Sequence, residues 1–429
     1  MQRTRTEILP GVWLTALRTE KFKTAWLSVD LLTQLQRETA ACTAVLPYVL
    51  RHGCTRLPDP EAIAAELDAL GGARITPVVR KHGEIQSIGF DAEFPDDAAL
   101  GADVFPRLAA DVADLLLHPN TRGGLLRPDI VESMREQLLA RIRAAANDTR
   151  TYVRERLYAH MCCCEDFAVP RLGEESGAEH IHYRKLTMRY HDVLATSPVE
   201  IFYCGSLEGK RAARILTDAL ATMPRAELDE DIGTDIRMNA LEEQTRYVTE
   251  TLPGAQTQLA VGYRLGTCME DPDLPALFVF NALYGGCATS KLFLSLHERL
   301  GLCSCIDSQL DTHKGLLTVT GSIDADDHER VLAEITAQLD AVRSGAFTDE
   351  ELHCAIRSAA GDLRAMADAP GTLAGYWFQH TIQGLDIDPF EMAALVEEVT
   401  RGDVTAAAAD IVCDCVYLLK GTEESADDE

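Results

Sequence analysis

No stretch of the sequence approaches the roughly 20 apolar residues needed to cross a bilayer, so no membrane-spanning helix is expected. Met1 to Leu32 carries basic side chains but no unbroken apolar run ahead of a small-residue cleavage site, so it does not read as a secretory leader. A cytoplasmic location is the expectation. A basic surplus is also missing: 40 Lys and Arg stand against 68 Asp and Glu, a formal net charge of −28. Nucleic-acid binding depends on clustered cations, so nucleic acid is not an expected partner. The thirteen cysteines are odd in number and contain no C-x-x-C pair, unlike a secreted disulfide framework. Cys303/Cys305 and Cys413/Cys415 lie on candidate strands, where a spacing of two points both thiols to one face. Cys162, Cys163 and Cys164 lie on a predicted helix and fan out in different directions. No nearby His completes a tetrahedral metal set, so reduced, half-buried thiols are expected. The nucleophile elbow G-x-S-x-G is absent. Gly205-Ser-Leu-Glu-Gly209-Lys210 is one residue short of a phosphate loop and runs into Arg211 where a Ser or Thr should hold magnesium, so it reads as a strand-to-helix turn.

What is present is ordinary globular material, with 46% hydrophobic and 25% charged residues in 429, enough for two cores. Ile8 to Leu17 and Ala25 to Leu32 read as strands forming a hairpin. Helices follow around Ala40 to Leu50 and Pro60 to Leu70, the second capped by Asp59 with Pro60 in its first position and stopped by Gly71-Gly72. Arg74 to Arg80 and Glu84 to Glu93 form an antiparallel pair about Lys81-His82-Gly83. Long amphipathic helices follow over Asp96 to Leu117 and from Pro128, the latter with Ile130, Met134, Leu138 and Ile142 near one face. Val199 to Gly205 is a strand and Leu207 to Ala221 a helix. The chain then turns polar and acidic, which marks a linker over 224–243.

The second half repeats the first. Strands near Thr245 to Thr251 and Thr257 to Tyr263 precede helices at Leu274 to Tyr284 and Ser290 to Arg299, a strand pair, and long helices to Thr381. In detail, Ala65-Glu-Leu-Asp-Ala-Leu-Gly-Gly-Ala, a strand, Lys81-His82-Gly83, a strand and Phe90-Asp91-Ala92 parallels Ser295-Leu-His-Glu-Arg-Leu-Gly-Leu-Cys, a strand, His313-Lys314-Gly315, a strand and Ile323-Asp324-Ala325. The expected division is an N-terminal half-domain over 1–223, the linker over 224–243, and a C-terminal half-domain over 244–429 ending in the acidic cluster 423–429, a frayed tail.

Several segments resemble the pitrilysin/insulinase family of zinc peptidases. Leu283-Tyr284-Gly285-Gly286-Cys287-Ala288-Thr289-Ser290-Lys291-Leu292-Phe293 is similar to the family's L-G-G-G-x-x-S-[RK]-L-F, and Leu296-His297-Glu298 stands where the family has L-R-E. Val131 to Ile142 is similar to the helix that carries the third zinc ligand, and Thr24 to Ser28, Leu67 to Ala73 and Asn147-Asp148 also fit. The resemblance implies an α+β fold of two repeated α/β half-domains, each an antiparallel-rich sheet packed by long helices, of the insulinase/LuxS-metallohydrolase type. It is nearest to the non-catalytic branch of bacterial elongation-factor-P 5-aminopentanol modification-associated proteins.

The family's zinc site needs H-x-x-E-H on one helix, two imidazoles on one face and a Glu that activates the metal-bound water. Here those positions read Ala44, Pro47 and Tyr48, and a one-residue shift gives Val45, Tyr48 and Val49. The distal zinc-binding Glu falls on Arg141. No catalytic residue, metal ligand or cofactor is therefore expected, and His52, just beyond the helix, has no partner in the pattern. The Arg and Tyr that grip substrate in the family fall on His297 and Ser304, of which a protonated His297 retains some hydrogen-bonding ability. Cys287, on a Gly-rich helix start, is the one candidate for a lowered thiol pKa. These implications point to a non-catalytic subunit paired with a related zinc-bearing chain in peptide or protein processing. The alternatives are a self-dimeric scaffold without a proteolytic role and a family member active only in trans.

Overall fold

The alternating stretches become two sheets in the computed structural model, which describes residues 1–229, 231–237, 239–240 and 244–422. The acidic tail 423–429 and parts of the expected linker lie outside the described residues. The chain divides into two compact units: 1–143, 169–233 and 368–379 in unit 1, and 144–168, 234–367 and 380–429 in unit 2. The chain thus leaves unit 1 after residue 143, returns over 169–233, and returns once more over 368–379.

Unit 1 is built on β1 (Gln2–Leu9), β2 (Val12–Arg18), β3 (Thr24–Gln34), β4 (Arg74–His82), β5 (Ile85–Pro95), a two-residue pair β6 (Thr121–Arg122) and β7 (Leu125–Leu126), and β8 (Val199–Gly205). Its six-stranded sheet runs β1-β2-β8-β3-β5-β4. The hairpin expected between the first two apolar strands does not form: β2 pairs antiparallel with β1 and parallel with β8, and β8 separates it from β3. A central position needs a strand that tolerates burial on both faces. The apolar β8 is buried almost throughout, whereas β1 is mostly exposed.

Unit 2 contains β9 (Arg246–Pro253), β10 (Gln258–Arg264), β11 (Cys303–Asp311), β12 (Leu316–Ile323) and β13 (Val412–Thr422) in the order β11-β12-β10-β13-β9. Read in reverse, this matches β2-β8-β3-β5-β4 strand for strand. The pairs β2/β8 and β9/β13 are both parallel and all the others antiparallel. The internal repeat is therefore one of topology as well as of letters.

The helices are α1 (Ala40–Leu50), α2 (Pro60–Ala69), α3 (Asp97–Leu100), α4 (Val104–Leu117), α5 (Pro128–Ala144), α6 (Thr149–Met161), α7 (Glu175–Glu179), α8 (Tyr183–Thr196), α9 (Gly209–Ala219), α10 (Leu274–Asn281), α11 (His328–Arg343), α12 (Asp349–Ala365), α13 (Pro370–Ile382), α14 (Pro389–Glu397) and α15 (Arg401–Ala409). Asp59 caps α2 by accepting from the Ala62 amide, and Gly71 and Gly72, at φ +77° and +82°, end it as the pattern predicts. The helix expected from Asp96 to Leu117 is two. Gly101 adopts φ +68°, and the Asp97 carboxylate accepts from the Val104 and Phe105 amides, restarting the helix as α4.

One face of each sheet carries the main core. In unit 1, Leu27, Val29 and Phe90 pack with Leu46, Leu108 and Leu186; in unit 2, Val261, Tyr263 and Val319 pack with Leu277, Phe280 and Ile335. The other face of the unit 2 sheet is covered by α6, whose Val153, Leu157 and Met161 pack on Ala260, Leu316, Tyr417 and Leu419. Gly262 makes room for this helix: a Cβ there would stand 2.6 Å from Met161 Sδ. The polar side chains of α6 bind the same sheet, Arg156 to Glu250, Arg150 to Asp307, and Tyr158 Oη to Thr318 Oγ1 at 3.0 Å. Hydrogen bonds from Arg156, His160 and Tyr417 hold the Glu250 carboxyl down at about 2. Residues 368–379 play a comparable part within unit 1: Trp377 lies under Arg3 at 4.3 Å, Phe378 lies 4.9 Å from the His82 ring, and Gly371 is closely approached by the Trp26 ring. The α5–α6 and α12–α13 pairs are repeat equivalents, each interrupted by a short 3-10 turn, at 145–147 and 366–368.

Four charged side chains tie α6 and its following turn into unit 2. Arg264, fully buried, donates to Glu165 Oε1 at 2.7 Å and Asp414 Oδ2 at 2.8 Å, and fully buried Lys314 lies 2.7 Å from Glu165 Oε2. Burial alone would raise the Glu165 carboxyl, but the bonds from Arg264 and Lys314 outweigh it and hold it below its ordinary range.

The thiol pattern differs from expectation at both C-x-C pairs. Each pair spans a register shift, Cys303/Cys305 in β11 and Cys413/Cys415 in β13. A bulge adds a residue and reverses the side-chain alternation, so Cys413 packs against the main core and Cys415 lies in the cluster beneath α6. The cysteine triplet is not helical: α6 ends at Met161 and the thiols occupy the turn after it.

Two outcomes follow from this packing. Leu157→Ala should destabilise the protein by about 2–4 kcal/mol in chemical denaturation; a loss below about 1 kcal/mol would show that α6 is not integral to unit 2. Burial lowers His313 to about 4, so the unfolded chain, with an ordinary histidine, takes up a proton that the native state refuses as pH falls from about 6.5 to 4. Stability should drop across that window by up to about 3 kcal/mol, and His313→Gln should flatten that part of the pH profile.

Candidate functional site

The helix α1 is almost wholly buried, a consequence of a sequence, AACTAVLPYVL, that is apolar on all sides. Ala44 has no exposed surface. Pro47 lines an apolar pocket with Leu31, Leu50, Ile88, Phe90 and Leu116. It also removes one backbone donor inside the helix. In the shifted register Val45 and Val49 are likewise buried in the core. Tyr48 is the half-buried member of the group, on the side of α1 that meets α5.

On α5, Val131, Met134 and Leu138 are buried, and Ile130 and Ile142 pack against the core at its edge. This places Arg141, one turn from the helix end, over Tyr48: the guanidinium carbon lies 4.0 Å from the ring centroid. The fold thus brings together Tyr48 and Arg141, two positions 93 residues apart in sequence. What meets there is an aromatic face and a cation, a cation–π pair. Neither side chain, nor Ala44 or Pro47, offers an imidazole or carboxylate, so the residues present do not fit zinc. Among the described residues no group of three or more His, Cys, Asp and Glu converges as a metal site.

His297 and Ser304 are brought to one corner of unit 2. The His297 Nδ1 lies 3.0 Å from the Cys303 carbonyl oxygen, directly before Ser304, and its ring packs at a tilt against Phe293, centroids 4.7 Å apart. Its Nε2 faces Glu298 at 3.7 Å, and the Ser304 hydroxyl accepts from Gln256 Nε2 at 3.4 Å. The glycine-rich segment Leu283 to Phe293 is buried over Leu283 to Gly285, where a Cβ on Gly285 would meet Ser308 Oγ at 2.6 Å. Close packing thus accounts for that glycine. Cys287 is committed locally, its Sγ lying 3.2 Å from the Ala282 carbonyl oxygen and 3.3 Å from Thr289 Oγ1. His52 follows the Arg51 cap of α1, half-buried. The turn after Gly205 is satisfied from within the fold, the Ser206 amide donating to Asp96 and the Leu207 amide to Tyr203 Oη.

Sequence reasoning did not find the quartet Glu165, Arg264, Lys314 and Asp414. Only Lys314 carried a signal, as part of the repeated His313-Lys314-Gly315 turn; the pairing itself has no local signature.

The Tyr48–Arg141 contact predicts a coupling of about 0.5–1 kcal/mol between Tyr48→Ala and Arg141→Ala in a double-mutant stability cycle. Strict additivity would show that the stacking carries no energy.

A family model for the peptidase M16 inactive domain matches residues 181–358. A protein of Bacillus subtilis (strain 168) described as probable inactive metalloprotease YmfF is 27% identical over 417 residues, spanning 96% of each chain. Among solved structures, a conserved protein from Enterococcus faecalis V583 superposes with a TM-score of 0.88 at 23% identity over 99% of both chains. A peptidase M16 inactive domain from Pseudomonas fluorescens superposes at 0.80 and 17% identity over 100% of both. Both structural matches establish the fold. The chain is thus similar over nearly its whole length to a probable inactive metalloprotease, and carries the pattern of the peptidase M16 inactive domain over 181–358.

Proposed function

We propose that this non-catalytic M16 subunit acts beside a related zinc-bearing chain in the processing of a peptide or protein. The observation that carries the reading is the Tyr48–Arg141 pair. Two elements meet as a two-helix metal site would require, yet an aromatic–cation contact stands in place of ligands, so catalysis is assigned to another polypeptide. The assignment of Ala44, Pro47, Tyr48 and Arg141 as lost ligand positions belongs to this proposal. So does a substrate-contact role for His297 and Ser304, which share a corner and leave the His297 side chain 35% exposed. No helix among the described residues is long and apolar enough to cross a membrane, which agrees with the cytoplasmic location proposed for the pair. An elongation-factor-P substrate is the narrower form of the proposal, resting on the sequence resemblance alone.

The test is a pull-down of the tagged full chain from its native extract, with metal analysis and mass spectrometry of whatever accompanies it. The expected result is a related chain with an intact H-x-x-E-H motif, at equal ratio and carrying the zinc. Recovery of zinc-free self-dimers alone would replace the proposal with a scaffold role.

A further inference from the structure

The turn that follows α6 holds two adjacent exposed thiols, Cys163 and Cys164, with their sulfur atoms 3.9 Å apart. Cys162, the third of the run, is buried and belongs to the hydrophobic cluster beneath α6. The other two are the pair available to solvent. Arg246 on β9 donates to the His160 carbonyl at 2.6 Å and reaches Cys163 Sγ at 3.6 Å from the same nitrogen. Arg237 donates to the Cys164 carbonyl oxygen at 3.4 Å. In a chain with a net charge of −28, two guanidinium groups against one dithiol make a locally cationic setting, the kind that favours a thiolate.

We propose that Cys163 and Cys164 form a reversible oxidation site, at which a peroxide converts the adjacent thiols into an intrachain disulfide. In the first step the Cys163 thiolate attacks one peroxide oxygen. An S–O bond forms, the O–O bond breaks, and the departing hydroxide takes the proton released by Cys163 to become water. In the second step the Cys164 sulfur attacks the Cys163 sulfur, forming the S–S bond and expelling hydroxide, which takes the Cys164 proton as a second water. Two thiols lose two electrons in total and one peroxide is reduced to two waters.

The roles of the two residues are unequal for a structural reason. The hydrogen bond from Arg246 draws the Cys163 thiol below its ordinary range, making it the attacking group, while the contact with Cys163 raises Cys164 and keeps it protonated until the second step. Four other cysteines lie in the opposite setting: Cys204 and Cys415 are pushed up to about 12 by burial, and Cys303 and Cys413 to about 11. The pair also sits beside Glu165, whose amide donates to the Cys162 carbonyl at 2.8 Å. The reactive turn is therefore continuous with the buried ion cluster of unit 2.

The experiment treats the reduced full chain with hydrogen peroxide and maps its cysteines by alkylation and peptide mass spectrometry. The expected product is a loss of about 2 Da confined to the peptide containing Cys163 and Cys164, with both thiols lost to alkylation together and restored by dithiothreitol. Arg246→Gln should slow formation of this product roughly threefold or more at neutral pH. Cys164→Ser should stop the reaction at a sulfenic acid on Cys163 that dimedone traps. Added oxygen on Cys163 while Cys164 stays alkylatable in the unmutated chain would overturn the proposal, as would a bridge involving any other cysteine or a second chain.

Discussion

Arg264 and Lys314 are cations without exposed surface, and they are tolerated because Glu165 and Asp414 are buried beside them. Taking one carboxylate away would leave a charge in a low-dielectric interior, a cost of about 3–5 kcal/mol for pairs of this kind. The four residues come from the turn after α6, the end of β10, the turn between β11 and β12, and β13. One electrostatic requirement therefore fixes where residues 144–168 must lie with respect to the unit 2 sheet. The linker is held by the same groups, since Lys314 donates to the Asp235 carbonyl and Arg264 to that of Arg237.

The need for such a lock follows from the sheets themselves. A sheet with a packed core on one face still has another face, and in unit 2 that face carries Ala260, Gly262, Tyr417 and Leu419, too apolar to leave in water. Covering it with an amphipathic helix takes about two turns of buried Val, Leu and Met and a rim of ion pairs. In unit 1 the corresponding segment, 368–379, uses aromatic residues instead. Equivalent elements of a repeat have thus diverged in chemistry while keeping their place, because the place is set by sheet topology and the chemistry only by what each face presents.

The same separation of place from chemistry governs the meeting of α1 and α5. Buried Val131, Met134 and Leu138 align α5, and the apolar body of α1 fills the core, so Tyr48 and Arg141 meet whatever their side chains are. The residues that set this geometry are not the residues that meet in it. A cation–π contact then occupies the junction.

Much of this was legible in the chain. Composition and charge bounded the class, period-two stretches and glycine stops located the strands and α2, and the repeated hairpins announced two equivalent sheets, because these features depend on neighbours within a few residues. The aligned motif also singled out Tyr48 and Arg141, two side chains that the fold brings into contact. What sequence reading missed was decided by partners far apart: β8 displacing the expected β2–β3 hairpin, a bulge turning Cys413 and Cys415 to opposite faces, Asp97 reaching forward to break a helix at Gly101, and Glu165 finding Arg264 and Lys314. Local patterns state which residues must be buried. Which strand or charge buries them depends on contacts that no local period records, and those were settled only when the chain closed on itself.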